Sequence, residues 1–259
     1  MTLFQIHPSA IVHPKARIAA GCEIGPYCVI GRNVVLGEQC RLHSHVVIDG
    51  HTTIGKRNEI FPFACIGLKT QDLKWDKGVT RTAIGDGNTF REYVTIHSAT
   101  GDEETTRVGS NNLILAYCHI AHNCVLGNRI IMSNVATLAG HVIVEDSAVI
   151  GGLAAVHQFC RIGKMAMIGG CSKVVQDVPP FMIADGNPAQ TRTINKTGME
   201  RNGISEERQR ALRAAYKILF REGLALSNAI VKVEKKLPPL PEVRHLIAFV
   251  RNSARGISK

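Results

Sequence analysis

From Ile6 an apolar residue returns every six positions as far as Ile66, again at Ile84, Phe90 and Ile96, and again from Val108 to Val174. All 26 of these positions hold an aliphatic, Met or Phe side chain, where a 45% apolar background would fill about 12 by chance. Taking the aliphatic as position 0, position +1 is often Gly, as at Gly25, Gly37, Gly109 and Gly151, and we expect these glycines to supply the backbone of a tight corner. Position +4 carries a small side chain, and six of the eight cysteines (Cys22, Cys28, Cys40, Cys118, Cys124 and Cys160) fall there, as core filler rather than disulfides or ligands. A hexapeptide period predicts a parallel β-helix: a short strand and a corner per hexad, and three hexads per triangular coil of 18 residues. Nine or ten coils spaced ~4.8 Å apart give a prism roughly 45 Å long.

Two polar segments, 69–82 and 98–107, interrupt the period and are expected to loop out of the prism, where long loops on a rigid scaffold often carry function. The repeats end near Asp177-Val178-Pro179-Pro180, and 181–195 is expected to be an irregular crossover. Beyond it the pattern turns helical. Ser205 is a candidate N-cap, Leu212, Ala215, Tyr216, Leu219 and Phe220 form an apolar stripe, and Gly223 is a plausible stop. Two further helices are expected over 228–237 and 242–252, separated by Pro238, Pro239 and Pro241. The expected organisation is a β-helix over 1–186 and a helical domain over 187–259.

Charge sharpens that division. Residues 1–186 hold 16 Lys/Arg and 15 Asp/Glu, whereas 187–259 hold 15 and 6, so almost all of the net +10 lies in the helical part. Such a patch suits an anionic partner: nucleic acid, a membrane surface or an acidic protein. Tyr216 and Phe220 lie on the apolar stripe instead of interleaving with the charge, which argues against nucleic acid. No stretch approaches a membrane span and no signal peptide is evident, so the expected compartment is the cytoplasm.

Eleven histidines make their placement informative. The hexads beginning at Ile120, Leu138 and Val156 stack in one column and carry His122, His141 and His157, with His119 around the corner from His122. Histidines so gathered suit general-base catalysis or a metal site. One histidine alone would be an ordinary polar residue on the outside of a prism.

The segments Thr95-Ile96-His97, His119-Ile120-Ala121-His122-Asn123-Cys124, Ala139-Gly140-His141, Ala155-Val156-His157-Gln158-Phe159-Cys160 and Gly169-Gly170-Cys171-Ser172, in this order, resemble the UDP-N-acetylglucosamine O-acyltransferases that open lipid A biosynthesis. The resemblance implies a left-handed parallel β-helix, against the usual right-handed rule for parallel crossovers. It implies a homotrimer with sites between subunits. The activity would be transfer of a β-hydroxyacyl group from acyl carrier protein, whose phosphopantetheine thioester is the donor, to a UDP-amino-sugar, with no cofactor or metal. It makes His122 the general base and the Gly140 N–H the oxyanion donor. Asp72, Lys74, His97, His119, His141, His157 and Gln158 match positions around the sugar nucleotide or acyl group, and Asn195 and Arg201 match positions near the nucleotide. The basic tail would then dock the acidic carrier. Many relatives have Asp where this chain has Asn123, and often a second Arg where it has Asn202.

Gly170 matches the position that sets acyl-chain length in this family, Gly going with long donors. At position +2 of one column, Ala116, Asn134, Gly152 and Gly170 leave a groove along the prism axis. The axial run from His122 to Gly170 is roughly 13 Å, which suits a chain of about twelve to fourteen carbons. The competing class is a zinc carbonic anhydrase of the same repeat fold, with histidines as ligands, and it leaves the basic tail unexplained. The sister N-acyltransferase usually carries an extra N-terminal domain, for which there is no room before Ile6. Neither the acceptor, N-acetylglucosamine or its 3-amino analogue, nor the donor length to the carbon follows from these residues.

Overall fold

The computed structural model describes residues 5–259. The hexads fold as the period predicts. Two-residue strands made of position +5 and the next position 0 pair in parallel with the strand 18 residues on, as Gln5 with Glu23 and Ile6 with Ile24. Three parallel faces of eleven, nine and eight strands result, the eleven including a terminal antiparallel hairpin. From Ile24 onward position 0 points inward and is almost wholly buried, whereas Ile6 at the open first coil is exposed and Val12 and Ile18 are half-buried; position +5 points out, leaving Val125, Ile131, Ile143 and Met167 exposed and Val149 half-buried. The six cysteines at position +4 are buried, and several thiols donate to a carbonyl of the following hexads, such as Cys124 Sγ to Ala139 O at 3.1 Å.

The glycines at position +1 have a different reason from the one expected. Positive φ falls instead at position +3, on residues such as Asn123 (60°), Val135 (66°) and His141 (60°). At position +1 a Cβ would strike the backbone of the next coil, 2.8 Å from His43 C at Gly25 and 2.6 Å from Gly55 C at Gly37. These glycines let successive coils stack closely.

The two interruptions are shorter than the broken period suggested. Arg81–Ile84 and Thr105–Val108 are four-residue strands that pair with each other, and the first also pairs with His51–Ile54, so the loops cover 69–80 and 98–104. Residues 181–195 are not irregular. Met182–Gly186 pairs in parallel with Met167–Ile168 and turns back antiparallel onto Ala189–Ile194. The expected change of structure at 186–187 falls at the turn of this hairpin.

Four helices follow: α1 (Lys196–Arg201), α2 (Glu206–Phe220), α3 (Leu226–Lys236) and α4 (Pro241–Arg251). Helix α1 was not foreseen; it is short, and its cap is Asn195, whose side chain accepts from Gly198 N. Ser205 caps α2 by its backbone alone, with no side-chain hydrogen bond. Pro241 lies inside the first turn of α4, where its missing N–H has no intrahelical partner to lose. Met199, Leu212, Ala215, Leu219, Val233, Leu246 and Val250 form a second core with Phe181, Met182 and Ile194 of the prism end. Polar ties lock the junction: His245 Nε2 meets Glu145 Oε2 at 2.7 Å, and Arg161 covers the Phe249 ring at 4.2 Å.

Candidate active site

His122 sits at position +2 of the corner that joins the second face to the third, between strands His119–Ile120 and Val125–Leu126. On the same edge the next two coils place Gly140 and Gln158 at position +2, and His141 and Phe159 at position +3. The His122 and His141 rings meet edge to face, 5.2 Å between centroids, and His141 stacks on Phe159 at 4.7 Å. Gly140 lies directly against the His122 ring. A Cβ there would come under 3.0 Å from His122 Cε1 and Nε2, and φ at Gly140 is not in the positive region. Its N–H donates to no acceptor among the described residues, so the residue packed against the His122 ring carries a free backbone donor. A donor of that kind, next to a general base, is what a developing oxyanion requires.

Both loops close over this corner. Thr70 and Thr100 join them at 3.1 Å, and Asp72 N–H donates to Thr70 Oγ1. Asp72 Oδ2 stands 3.7 Å from His122 Nε2. The Lys74 backbone N–H bonded to Asp72 holds that carboxyl below its ordinary range, with the charges of His122 and Lys74 acting in the same direction. The Lys74 side chain is exposed. Behind His122, His97 is buried and meets His119 edge to face at 5.1 Å, and His119 Nδ1 bonds Thr95 Oγ1 at 2.7 Å. Burial lowers His97 and His141 and takes His119 down to about 4, so all three are neutral near pH 7 and act as hydrogen-bonding groups. The nearby Cys124 thiol is pushed up to about 12 by burial and is no nucleophile.

The structure thus gathers Asp72, His97, His119, His122, Gly140 and His141, with Gln158 next along the edge and His157 beside it, both exposed. It does not bring in the others. Asn195 is buried at the start of α1, its amide spent on Gly198 N and on Met165 O at 2.9 Å, and Arg201 is exposed at the far end of that helix. Asn202 donates to Gly198 O at 2.8 Å as a helix C-cap. Gly170 lies on a different edge of the prism, the corner joining the first face to the second. A chain leaving His122 therefore does not reach Gly170 by following one edge of the same molecule. Gly170 itself is open: a Cβ would meet only Gly152 O, at 3.4 Å, and its φ is ordinary, so neither packing nor backbone requires Gly there. The spacing of the histidines did not reveal Thr70, Thr100 and Glu104, which tie the loops to the corner; the acidic run Asp102-Glu103-Glu104 was the available signal.

The zinc reading finds no support in this geometry. His119 turns to Thr95 and His97, and among the described residues no three His, Cys, Asp or Glu groups are placed to ligate one metal ion. Comparison with known proteins points the other way. Residues 177–258 match the family model described as Udp N-acetylglucosamine O-acyltransferase, domain 2, and residues 6–100 match that of the GMPPB C-terminal domain. A curated acyl-(acyl-carrier-protein)–UDP-N-acetylglucosamine O-acyltransferase of Gloeothece citriformis is 44% identical over 208 residues, 80% of this chain and 75% of that protein. The structure of LpxA from Acinetobacter baumannii superposes with a TM-score of 0.95 at 43% identity, covering 98% of this chain and 99% of that one. The UDP-N-acetylglucosamine acyltransferase of Arabidopsis does so with a TM-score of 0.87 at 37% identity, over 98% and 100%.

Proposed function

Because the chain belongs to the UDP-N-acetylglucosamine O-acyltransferase family, we propose that it transfers a β-hydroxyacyl group from acyl carrier protein to the 3-hydroxyl of UDP-N-acetylglucosamine, the first step of lipid A biosynthesis. The observation that carries this reading is the pairing of His122 Nε2 with the Gly140 backbone, a base and a free N–H donor side by side. His122 takes the hydroxyl proton as that oxygen attacks the thioester carbonyl. The Gly140 N–H receives the oxyanion, and the proton leaves with the thiol. Asp72, across from Nε2, holds the sugar, and Lys74 meets the phosphates, with His97, His119, His141, His157 and Gln158 along the sugar–acyl path.

The active unit is a homotrimer with the site between subunits. Its support is geometric. The edge bearing His122 and the edge bearing Gly170 differ within one chain, and a neighbouring copy can set its Gly170 edge against His122. The outward aliphatics Val125, Ile131, Ile143 and Met167 suit such a contact. Asn195 and Arg201, lying beyond the hairpin at the prism end, then reach the nucleotide from the adjoining subunit. The prism carries the chemistry, and residues 187–259 dock the acidic carrier, with Arg213 and Lys217 exposed for it. No described helix is long and apolar enough to cross a membrane, and the reading places the enzyme in the cytoplasm. No metal or cofactor enters the reaction. Mass spectrometry of the product formed from mixed carrier thioesters and both UDP-sugars tests it. A single O-acylated UDP-N-acetylglucosamine is expected; transfer to the 3-amino analogue alone would overturn the acceptor, and no transfer would overturn the reaction.

A further inference from the structure

The contacts of Asn123 fix which way its amide faces. Nδ2 meets Glu104 Oε2 at 2.6 Å, and a carboxylate only accepts. Oδ1 receives the Thr100 backbone N–H at 3.0 Å. The same Oδ1 stands 3.0 Å from His122 Nδ1, so that nitrogen carries the proton and Nε2 keeps its lone pair. The Asn123 backbone N–H donates to Thr106 Oγ1 at 2.8 Å and anchors the residue at the corner, while the side-chain amide is held from turning over by the Glu104 acceptor on Nδ2 and the Thr100 donor on Oδ1. Of the three successive acids in the loop, Glu103 pairs with Arg81 and Asp102 accepts the Val79 N–H, which leaves Glu104 as the one that reaches the base.

We propose that Glu104 is a positioning residue for the reaction, supplying through the Asn123 amide the negative charge that orients His122 and stabilises its imidazolium as the sugar hydroxyl loses its proton. A neutral amide beside Nδ1 would orient the ring without that charge. Here the carboxylate stands one hydrogen bond further out, and the amide between them passes its polarisation to the ring. The inference rests on His122 being the base. Glu104 Oε2 also accepts the Gly101 N–H at 2.9 Å, so a purely structural role in closing the loop is the alternative to be separated.

A double-mutant cycle separates them. Glu104→Gln keeps an acceptor oxygen for both donors and removes the charge. It should lower kcat ~3–10-fold with KM for the UDP-sugar nearly unchanged, the modest size following from a charge one amide removed from the ring. In the Asn123→Asp background, where a carboxylate already abuts Nδ1, the same substitution should cost less than twofold. Glu104→Asp, which keeps the charge, should retain more kcat than Glu104→Gln, and this comparison stands even where Asn123→Asp does not fold. An equal cost in both backgrounds, a loss confined to KM, or Glu104→Asp falling below Glu104→Gln overturns the proposal. His122→Ala measured alongside shows whether the base itself fails: if that variant keeps full activity, the premise and the proposal fall together.

Discussion

Gly140 is the position where geometry makes the sharpest demand. An added Cβ would lie under 3.0 Å from His122 Cε1 and Nε2, whereas ordinary contact begins at 3.4 Å. Gly140→Ala must therefore push the imidazole or the corner aside by about 0.5–1 Å. Backbone strain adds nothing, because φ at Gly140 is ordinary. Overpacking of this kind costs about 1–3 kcal/mol, or roughly 2–12 °C in Tm for a chain of this size, and leaves the prism folded. Misplacing a catalytic group by about 1 Å costs on the order of 10²-fold in rate. Gly140→Ala should then lose ~10²-fold in kcat, measured as initial rates with carrier thioester and UDP-N-acetylglucosamine, while a thermal melt shows a cooperative transition. A kcat within twofold of the parent would refute the placement of the base against this backbone.

Two other outcomes follow from the same coordinates. Gly170→Met should fold normally, since its Cβ meets only Gly152 O at 3.4 Å, and should reject a donor of about twelve to fourteen carbons while accepting one several carbons shorter; loss on all chain lengths together would return Gly170 to a mere corner residue. His119, held down to about 4 by burial, resists protonation in the folded state that it accepts in the unfolded one near 6.5, so stability should fall as pH drops from about 6.5 toward 4, by on the order of 2–3 kcal/mol; a His119→Gln variant whose melting temperature falls over that interval as steeply as the parent's would contradict the assignment.

The fold was legible because the hexad has one job per position. Ile120, Leu138 and Val156 must face inward whatever surrounds them, so period alone registers the coils. What period could not convey was why a residue type recurs. Gly37 reads as a corner glycine, yet it is small because Gly55 of the next coil passes 2.6 Å from where its Cβ would be. The hairpin 182–194 escaped notice because its strands follow no hexad and its turn, Gly186-Asn187-Pro188, lies where the repeat was already fading. In the site, the column of His122, Gly140 and Gln158 follows from the 18-residue coil. Glu104 and Asp72 do not, since loop residues have no register and reach the base only by the path the loop takes. The different edges of His122 and Gly170 were implicit in the hexad count, but the proposal drawn from them, a site shared between copies, needs the triangular cross-section.

The account stands most directly on His122 as the proton acceptor. His122→Ala, assayed with saturating carrier thioester and UDP-N-acetylglucosamine, should lose ~10²–10⁴-fold in kcat, the worth of a positioned general base, with its melting transition retained because the ring lies outside the prism core. A folded His122→Ala enzyme turning over at the parent rate would contradict it.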